Sequence, residues 1–210
     1  MDLPLAAGYG DLERVKLLVE QGIDKDKGND SGDTPLRLAS RGGFFKVVQY
    51  LVEQGSSLNK AAIDGCTPLT GASACGHVET VRYLLEKGVI FDHADNDGDT
   101  SLHCAAANGH LETVILLMSY GADLNVKNNS GQLPIDRAAN EEIKQAIRDE
   151  PRRRNHMRAT DEDQHSKVTT TAQQQEDDNE EEEHNNKRLR HDDGTIVEED
   201  TNVKKEDDDK

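Results

Sequence analysis

The side chains of this chain that are best suited to metal or acid–base chemistry include three histidines and three cysteines near the middle of the sequence. They are His77, His103, His110, Cys66, Cys75 and Cys104. Imidazoles and thiolates are common zinc ligands, but a structural zinc site usually draws them in closely spaced pairs such as C-x-x-C. The sequence has no such pair and an odd number of cysteines. We therefore expect no metal centre and no cofactor.

Two short patterns resemble parts of catalytic or nucleotide-binding motifs. His77-Val78-Glu79 matches the first half of a zinc deaminase motif, but no P-C-x-x-C follows it. Gly8-Tyr9-Gly10 begins a dinucleotide-binding pattern, but Glu13 stands where the third glycine is needed. The sequence contains no Walker motif, nucleophile elbow or paired-carboxylate signature. It predicts a protein that is not an enzyme.

These residues lie on a sequence that repeats itself every 33 residues. Glycines mark the period in three series: Gly32, Gly65, Gly98 and Gly131; Gly10, Gly43, Gly76 and Gly109; Gly22, Gly55, Gly88 and Gly121. A strict period of this length is typical of stacked supersecondary units that share one continuous core.

Each period predicts two short helices, most clearly within residues 96–125. Thr100 follows the turn Asp97-Gly98-Asp99 as a helix N-cap, and Gly98 is expected to have a positive φ. The first helix buries Leu102 and two alanines. The second helix is expected to bury Leu111, Val114, Ile115, Leu117 and Met118. Helices this short cannot bury their apolar faces alone, so neighbouring copies must pack on them.

The pattern closely resembles the ankyrin repeat, G-x-TPLH-x-AA-x-x-GH-x-E-x-V-x-x-LL-x-x-GA. Thr34-Pro35-Leu36 and Thr67-Pro68-Leu69 match the start of its first helix, and the resemblance covers about residues 1–148. It implies an all-α ankyrin-repeat solenoid. It also implies that another protein binds in the concave groove formed by the hairpin tips and the inner helices.

The resemblance implies structural roles for the histidines. His77 and His110 occupy the G-H position, where the family bonds the backbone of a neighbouring repeat, and His103 is expected to brace the turn at Thr100. In the second repeat Phe44 takes the place of the histidine in the G-H position. We therefore expect the start of the outer helix in this repeat to be repacked around Phe44 and Phe45.

The repeats and a change in composition divide the chain. The expected units are a cap at 1–28, repeats at 29–61, 62–94 and 95–127, and a closing unit at 128–148 whose helix runs from Asn140 to Arg148. Residues 1–149 carry 14 Lys/Arg and 22 Asp/Glu, a net charge of −8; residues 150–210 carry 11 and 20, a net of −9, with few apolar residues. We therefore expect an ankyrin-repeat domain at 1–149 and a disordered acidic tail at 150–210.

The hairpin tips and the inner helices provide the candidate partner-binding residues. These are Asp33, Arg41, Ile63, Asp64, Cys66, Ala74, Cys75, Asn96, Asp97, Asp99 and Asn108. Acidic tip residues around the less polar Ile63, Ala74 and Cys75 predict a partner protein with basic residues around an apolar anchor. The negative net charge disfavours direct binding of nucleic acid.

The tail leaves other functions open. Lys187-Arg188-Leu189-Arg190 resembles a nuclear-import signal. One alternative is therefore a nuclear co-regulator that binds histones or other basic proteins through the acidic tail. A second alternative is a regulatory subunit of an enzyme. The sequence shows no signal peptide and no apolar segment of about eighteen residues, so we expect a monomer in the cytoplasm, the nucleus or both.

One modification is suggested by family resemblance. Leu117 and Asp123-Leu124-Asn125 resemble the pattern at which an oxygen-dependent asparaginyl hydroxylase modifies some ankyrin proteins. Asn59 matches this pattern less well, because Ser57 replaces the acidic residue. The family more often uses an asparagine here only to fasten the loop, so Asn125 has two candidate roles.

Overall fold

The computed structural model describes residues 2–150, and within them the regular secondary structure is helical apart from an isolated bridge between Ala94 and Thr100. The helices are α1 (Leu3–Gly8), α2 (Leu12–Glu20), α3 (Pro35–Gly42), α4 (Phe45–Glu53), α5 (Pro68–Ala74), α6 (Val78–Glu86), α7 (Ser101–Ala107), α8 (Leu111–Ser119) and α9 (Pro134–Arg137). Residues 141–150 are also helical. Except for Glu150, which is helical and buried, the predicted tail with its Lys187–Arg190 segment lies outside the described residues. None of the helices in residues 2–150 is long and apolar enough to span a bilayer.

Threonine caps and glycine turns set the ends of the inner helices. The hydroxyl of Thr34 accepts a hydrogen bond from the backbone N–H of Arg37 at 3.1 Å, and that of Thr67 accepts one from Thr70 at 3.2 Å. A proline follows each of these caps, where the missing N–H would have no partner in the helix. Gly98 at the hairpin tip has a φ of 78°, which confirms the predicted positive value.

The inner helices pack in chain order, α1 on α3, α3 on α5, α5 on α7 and α7 on α9, while α2, α4, α6 and α8 form a second layer. One leucine in each of the first four units marks the shared core, at most 1% exposed: Leu3, Leu36, Leu69 and Leu102. The core therefore runs continuously through the units.

Backbone hydrogen bonds join successive hairpins. The bonds run from Ile63 N–H to Ser31 O (3.1 Å), from Asn96 N–H to Asp64 O (3.1 Å) and from Asn129 N–H to Asp97 O (2.9 Å). Because the donor and acceptor positions recur with the 33-residue period, each tip fixes the next one in register.

The burial predicted for α8 is right at Leu117 and wrong at Ile115. Leu117 is fully buried, whereas Ile115 is 40% exposed and Leu116 is buried instead. The buried face is centred on Leu117, and successive side chains on an α-helix turn by about 100°, so Ile115 points to the opposite face. The spacing of Ile115 four residues after Leu111 predicts burial, and the structure contradicts that prediction.

Two leucines in the helices of the first unit are also exposed. Leu5 is 46% exposed and Leu17 is 42% exposed. The residues at the same positions in the second repeat, Leu38 and Tyr50, are only half-buried. These positions therefore lie at the edge of the core in both units.

The closing helix is longer than expected. We placed its end at Arg148, but residues 141–150 are all helical. Ile143 and Ile147 are buried in the core. Tertiary packing of this apolar face stabilises the last turn, although a proline follows in the sequence.

Candidate partner-binding surface

His77 and His110 connect neighbouring repeats, as the family resemblance implied. Nε2 of His77 lies 3.0 Å from the carbonyl oxygen of Arg41, and Nε2 of His110 lies 3.1 Å from that of Ala74. A carbonyl oxygen only accepts, so each Nε2 carries the hydrogen. A Cβ added at Gly43 would come within 2.6 Å of the His77 ring. Each of these histidines is therefore fastened to the backbone of the preceding repeat.

Phe44 occupies the corresponding position in the second repeat. An added Cβ would come within 2.3 Å of its ring at Gly10 and within 2.4 Å at Gly42. The ring of Phe45 packs edge-on against Tyr83, with 5.5 Å between the ring centroids. Aromatic packing therefore replaces the histidine hydrogen bond, which confirms the expected repacking around these two phenylalanines.

His103 braces the turn at Thr100, as expected. The backbone N–H of Thr100 donates to Nδ1 of His103 at 3.2 Å, and the Thr100 hydroxyl lies 2.9 Å from the same nitrogen. Nε2 donates to the carbonyl oxygen of Gln132 in the next hairpin at 3.1 Å. Since Nδ1 accepts and Nε2 donates, His103 is held as one neutral tautomer that joins two repeats.

Cys104 lies beside two carboxylates at the base of the fourth repeat's hairpin. Its thiol and the carboxylates of Asp95 and Asp99 are within 4.8 Å of one another. Burial raises the pKa of Cys104 to about 12, and the two carboxylates add to the shift, so the thiol is protonated at neutral pH. Asp99 contacts the Arg137 guanidinium at 3.2 Å and the Asn128 amide at 2.8 Å, and Asp95 accepts two N–H groups of its own hairpin. These contacts, which are part of the fold, account for the positions of both carboxylates.

Arg37 forms ion pairs with two of the acidic residues that we assigned to the partner surface. Its side chain is 6% exposed and pairs with Asp33 in its own hairpin and, at 2.7 Å, with Asp64 in the next. These two carboxylates are therefore not the free charges that we predicted. Arg37 was not among the predicted site residues, although it occupies in T-P-L-R the position that His103 occupies in the fourth repeat.

The prediction that Asp99 belongs to an exposed acidic row is wrong. Asp99 is 5% exposed, because its carboxylate turns inward to Arg137 and Asn128. Asp97, two residues earlier in the same hairpin, is exposed. The same hairpin therefore places the carboxylate of Asp97 in solvent and the carboxylate of Asp99 in the interior.

Three further predicted contact residues serve the fold. The side-chain amide of Asn96 donates to the carbonyl of Ile63, and that of Asn108 donates to the carbonyl of Cys104, both at 2.8 Å. Cys66 is half-buried, and this burial raises the pKa of its thiol. Their polar groups act within the domain.

The remaining predicted contact residues face outward on the side formed by the hairpin tips and the inner helices. They are Arg41, Ile63, Ala74, Cys75 and Asp97. Ile63 is 70% exposed, Cys75 is exposed and Ala74 is half-buried. Two residues that were not predicted extend this side. Tyr9, 68% exposed, has the position in its unit that Cys75 has in the third repeat, and Leu5 lies one helical turn before Tyr9. We call these seven residues the open inner surface.

The open inner surface is mainly apolar and carries one cation and one anion. Arg41 is exposed, and its guanidinium forms no ion pair within residues 2–150. Asp97 lies at a hairpin tip, whereas Arg41 lies at the far end of an inner helix. Charges of opposite sign therefore flank the apolar residues on two sides.

Asn125 and Asn59 both lie in loops that follow outer helices. Asn125 is exposed, and its backbone N–H donates to Asp123 Oδ1 at 2.9 Å. Oδ1 of Asn59 accepts the backbone N–H of Ile90 in the next repeat at 2.8 Å. Asn59 therefore fastens a loop, while hydroxylation of Asn125 stays a prediction.

Paired short helices that recur every 33 residues and share one core define an α-helical repeat protein. A family model described as ankyrin repeats in three copies matches residues 3–62 and 54–128. The chain belongs to the ankyrin-repeat family. A search of curated proteins gives no significant match.

Proposed function

We propose that this chain is a non-catalytic scaffold that binds another protein on its open inner surface. Ankyrin repeats generally mediate protein–protein interactions, and proteins built from them are typically binding scaffolds without catalytic activity. The observation that carries the proposal is the exposure of Ile63 at a hairpin tip and of Leu5 and Tyr9 on and just after the first inner helix. Large apolar residues left exposed at these positions favour an interaction site there.

The proposed partner is a protein with an apolar anchor and basic residues beside it. Its anchor contacts Ile63, Ala74 and Cys75 within the third repeat. Its basic residues lie near the exposed tip residues Asp30 and Asp97. Buried apolar contacts supply most of the affinity in such an arrangement, and the tip charges speed encounter.

Arg41 adds a constraint on orientation. A partner that placed a basic residue against Arg41 would bring two like charges together, whereas an acidic residue or a carbonyl there would be stabilised. The partner therefore has one favoured direction along the inner helices.

The proposed scaffold has five stacked units and acts as a monomer in the cytoplasm or the nucleus. α9 and helical residues 141–150 supply the fifth unit, and the buried Ile143 and Ile147 close the core. It needs no cofactor. Residues 1–149 have a net charge of −8, which opposes direct binding to nucleic acid phosphates.

The test is affinity capture with the full chain and with two matched variants. Ile63→Asp places a charge on the open inner surface, and Ile90→Asp places the same charge on the loop after α6; both isoleucines are largely exposed, at 70% and 59%. We expect proteins identified by mass spectrometry to be captured by the wild type and by Ile90→Asp, but not by Ile63→Asp.

Two results would contradict the proposal. Equal capture by all three proteins would exclude Ile63 from the binding surface. Capture that survives Ile63→Asp and is lost when residues 151–210 are deleted would assign binding to the tail, the alternative of a nuclear or basic-protein binder.

A further inference from the structure

The hairpin of the third repeat lacks a side-chain acceptor that the other three described hairpins have. In those hairpins one side chain accepts two backbone N–H groups: Asn29 from Ser31 and Asp33, Asp95 from Asp97 and Asp99, and Asn128 from Ser130 and Gln132, all at 2.9–3.1 Å. Ala62 occupies this position in the third repeat and has no acceptor atom in its side chain. Asp64 Oδ1 accepts one N–H of this turn, from Cys66 at 2.9 Å.

The third repeat also has a weaker connection at the fourth residue of its cap motif. At this position Arg37 reaches Asp64 in the following hairpin, and His103 reaches Gln132 in the following hairpin. Thr70 is too short to span this distance. Its hydroxyl lies 3.0 Å from that of Thr67 in its own cap and 3.4 Å from that of Ser101 in the next repeat.

The interior of α5 departs from its neighbours at two more positions. Gly71 lies inside the helix, where glycine loses more backbone entropy on folding than any other residue. The Oγ of Ser73 is buried and has no hydrogen-bond partner among the described residues. Ala106 occupies the same position in the fourth repeat, and Ser40 in the second repeat has the same buried, unpaired hydroxyl. The third repeat combines all these deficits in one unit.

We infer that residues 62–94 form the least stable of the internal repeats and open locally while the units on both sides stay folded. In a repeat protein each unit contacts only its neighbours, so stability is close to a sum of terms for each unit and each interface. Such a protein can open in parts, and among internal units, which each lose two interfaces on opening, the one with the weakest local terms opens first. The lost turn acceptor, the short Thr70 and the α5 interior all weaken this unit.

The unit that opens also carries Ile63, Ala74 and Cys75 of the open inner surface. If that surface binds the partner, a point that rests on the proposed function, the partner binds only the closed form. Its apparent affinity then falls by the fraction of molecules that are open, and binding closes the repeat. The local opening itself needs no partner and is tested without one.

The experiment is hydrogen–deuterium exchange of the full chain, followed by mass spectrometry of peptides from α3, α5 and α7. We expect amides in α5 to exchange faster than those in α3 and α7 under native conditions. Ala62→Asn restores the turn acceptor, and Ser73→Ala removes the unpaired hydroxyl. Each variant should slow exchange in α5 by about fivefold or more and should change α7 much less.

Ser40→Ala is the matched control, because it removes the same kind of hydroxyl from α3. It should slow exchange in α3 more than in α5. Equal exchange of the three helices in the wild-type chain would overturn the inference. So would an equal slowing of all three helices by Ala62→Asn or Ser73→Ala, because the amides would then exchange through one global unfolding reaction. Either result would leave the binding proposal untouched.

Discussion

The guanidinium of Arg37 lies 2.7 Å from the carboxylate of Asp64, across the boundary between the second and third repeats. The two side chains differ in environment: that of Arg37 is 6% exposed and that of Asp64 is 56% exposed. Arg37 is also paired with Asp33, whose side chain is 15% exposed. The cation is therefore the buried centre of the group, and the Asp64 carboxylate is its surface end.

Removing the cation should cost more stability than removing its exposed partner. Arg37→Ala leaves Asp33 unpaired in a largely buried position and removes the packing of the arginine stem, so we expect a loss of roughly 2–4 kcal/mol in the free energy of unfolding. Asp64→Asn should cost less than about 1 kcal/mol, because water already solvates that carboxylate. Urea denaturation measures both values. Arg41→Ala, an exposed arginine on the same helix, should be close to neutral; a loss equal to that of Arg37→Ala would contradict this account.

Leu117 and Ile115 provide a matched pair on α8. Leu117 is fully buried, so Leu117→Ala should cost roughly 2–5 kcal/mol through lost burial and the cavity left behind. Ile115 is 40% exposed and faces away from the core, and Ile115→Ala should cost less than about 1.5 kcal/mol. Chemical denaturation distinguishes the two. Similar losses for both would place the buried face of α8 between them rather than on Leu117.

Gly98 and Gly88 separate backbone strain from steric contact. Both have a positive φ, 78° and 79°. A Cβ at Gly98 would lie 2.8 Å from the backbone nitrogen of Asn129, whereas nothing lies within 4 Å of one at Gly88. Gly88→Ala should therefore cost about 1 kcal/mol, and Gly98→Ala at least about 2 kcal/mol, because the second hairpin must also move. Thermal unfolding measures the difference in stability loss between the two variants. Equal losses would show that the neighbouring hairpin can move away from an added Cβ at little cost.

The sequence was enough to predict features that depend on the period, and less able to predict features that depend on exceptions to it. The fold and the positive φ of Gly98 follow from positions that recur in successive units, and the bonds made by His77 follow from the resemblance to the ankyrin repeat. The ion pair of Arg37 could not be predicted in this way, because it arises where the repeat replaces a histidine and its partner is 27 residues away. The burial of Asp99 likewise depends on Arg137 in another unit.

The three cysteines should differ in reactivity. Burial raises the pKa of Cys104 to about 12, above the ordinary value of 9.0, whereas Cys75 is exposed at the end of α5. Alkylation requires the thiolate, so iodoacetamide at pH 8 should modify Cys75 at least about tenfold faster than Cys104. Peptide mass spectrometry over time measures both rates. Faster labelling of Cys104 than of Cys75 would contradict the assigned burial.

The raised pKa of Cys104 also affects stability. Because the native pKa of this thiol lies above the unfolded one, its deprotonation favours unfolding as pH rises from 9 towards 12.

The last prediction concerns the exposed tip charges, Asp30 and Asp97. Neither carboxylate takes part in an ion pair within residues 2–150, so Asp30→Asn with Asp97→Asn removes two charges without disturbing the fold. Exposed charges at the edge of an interface act mainly on encounter. For a partner captured by the wild-type chain, we expect association to slow by about two- to tenfold at low salt, and its dependence on salt to weaken. Dissociation should hardly change.

Two comparisons complete this experiment, which biosensor kinetics can measure. Glu79→Gln with Glu112→Gln removes the same number of exposed charges from the outer helices, and should affect association less if the partner approaches the open inner surface. Ile63→Ser should instead speed dissociation, because it removes an apolar contact with the anchor of the proposed partner. Asp99 is not a suitable third charge to remove, since its carboxylate is buried against Arg137. If the outer-helix pair slowed association as much as the tip pair, the negative charge of the whole domain, and not the position of its tips, would be steering the partner.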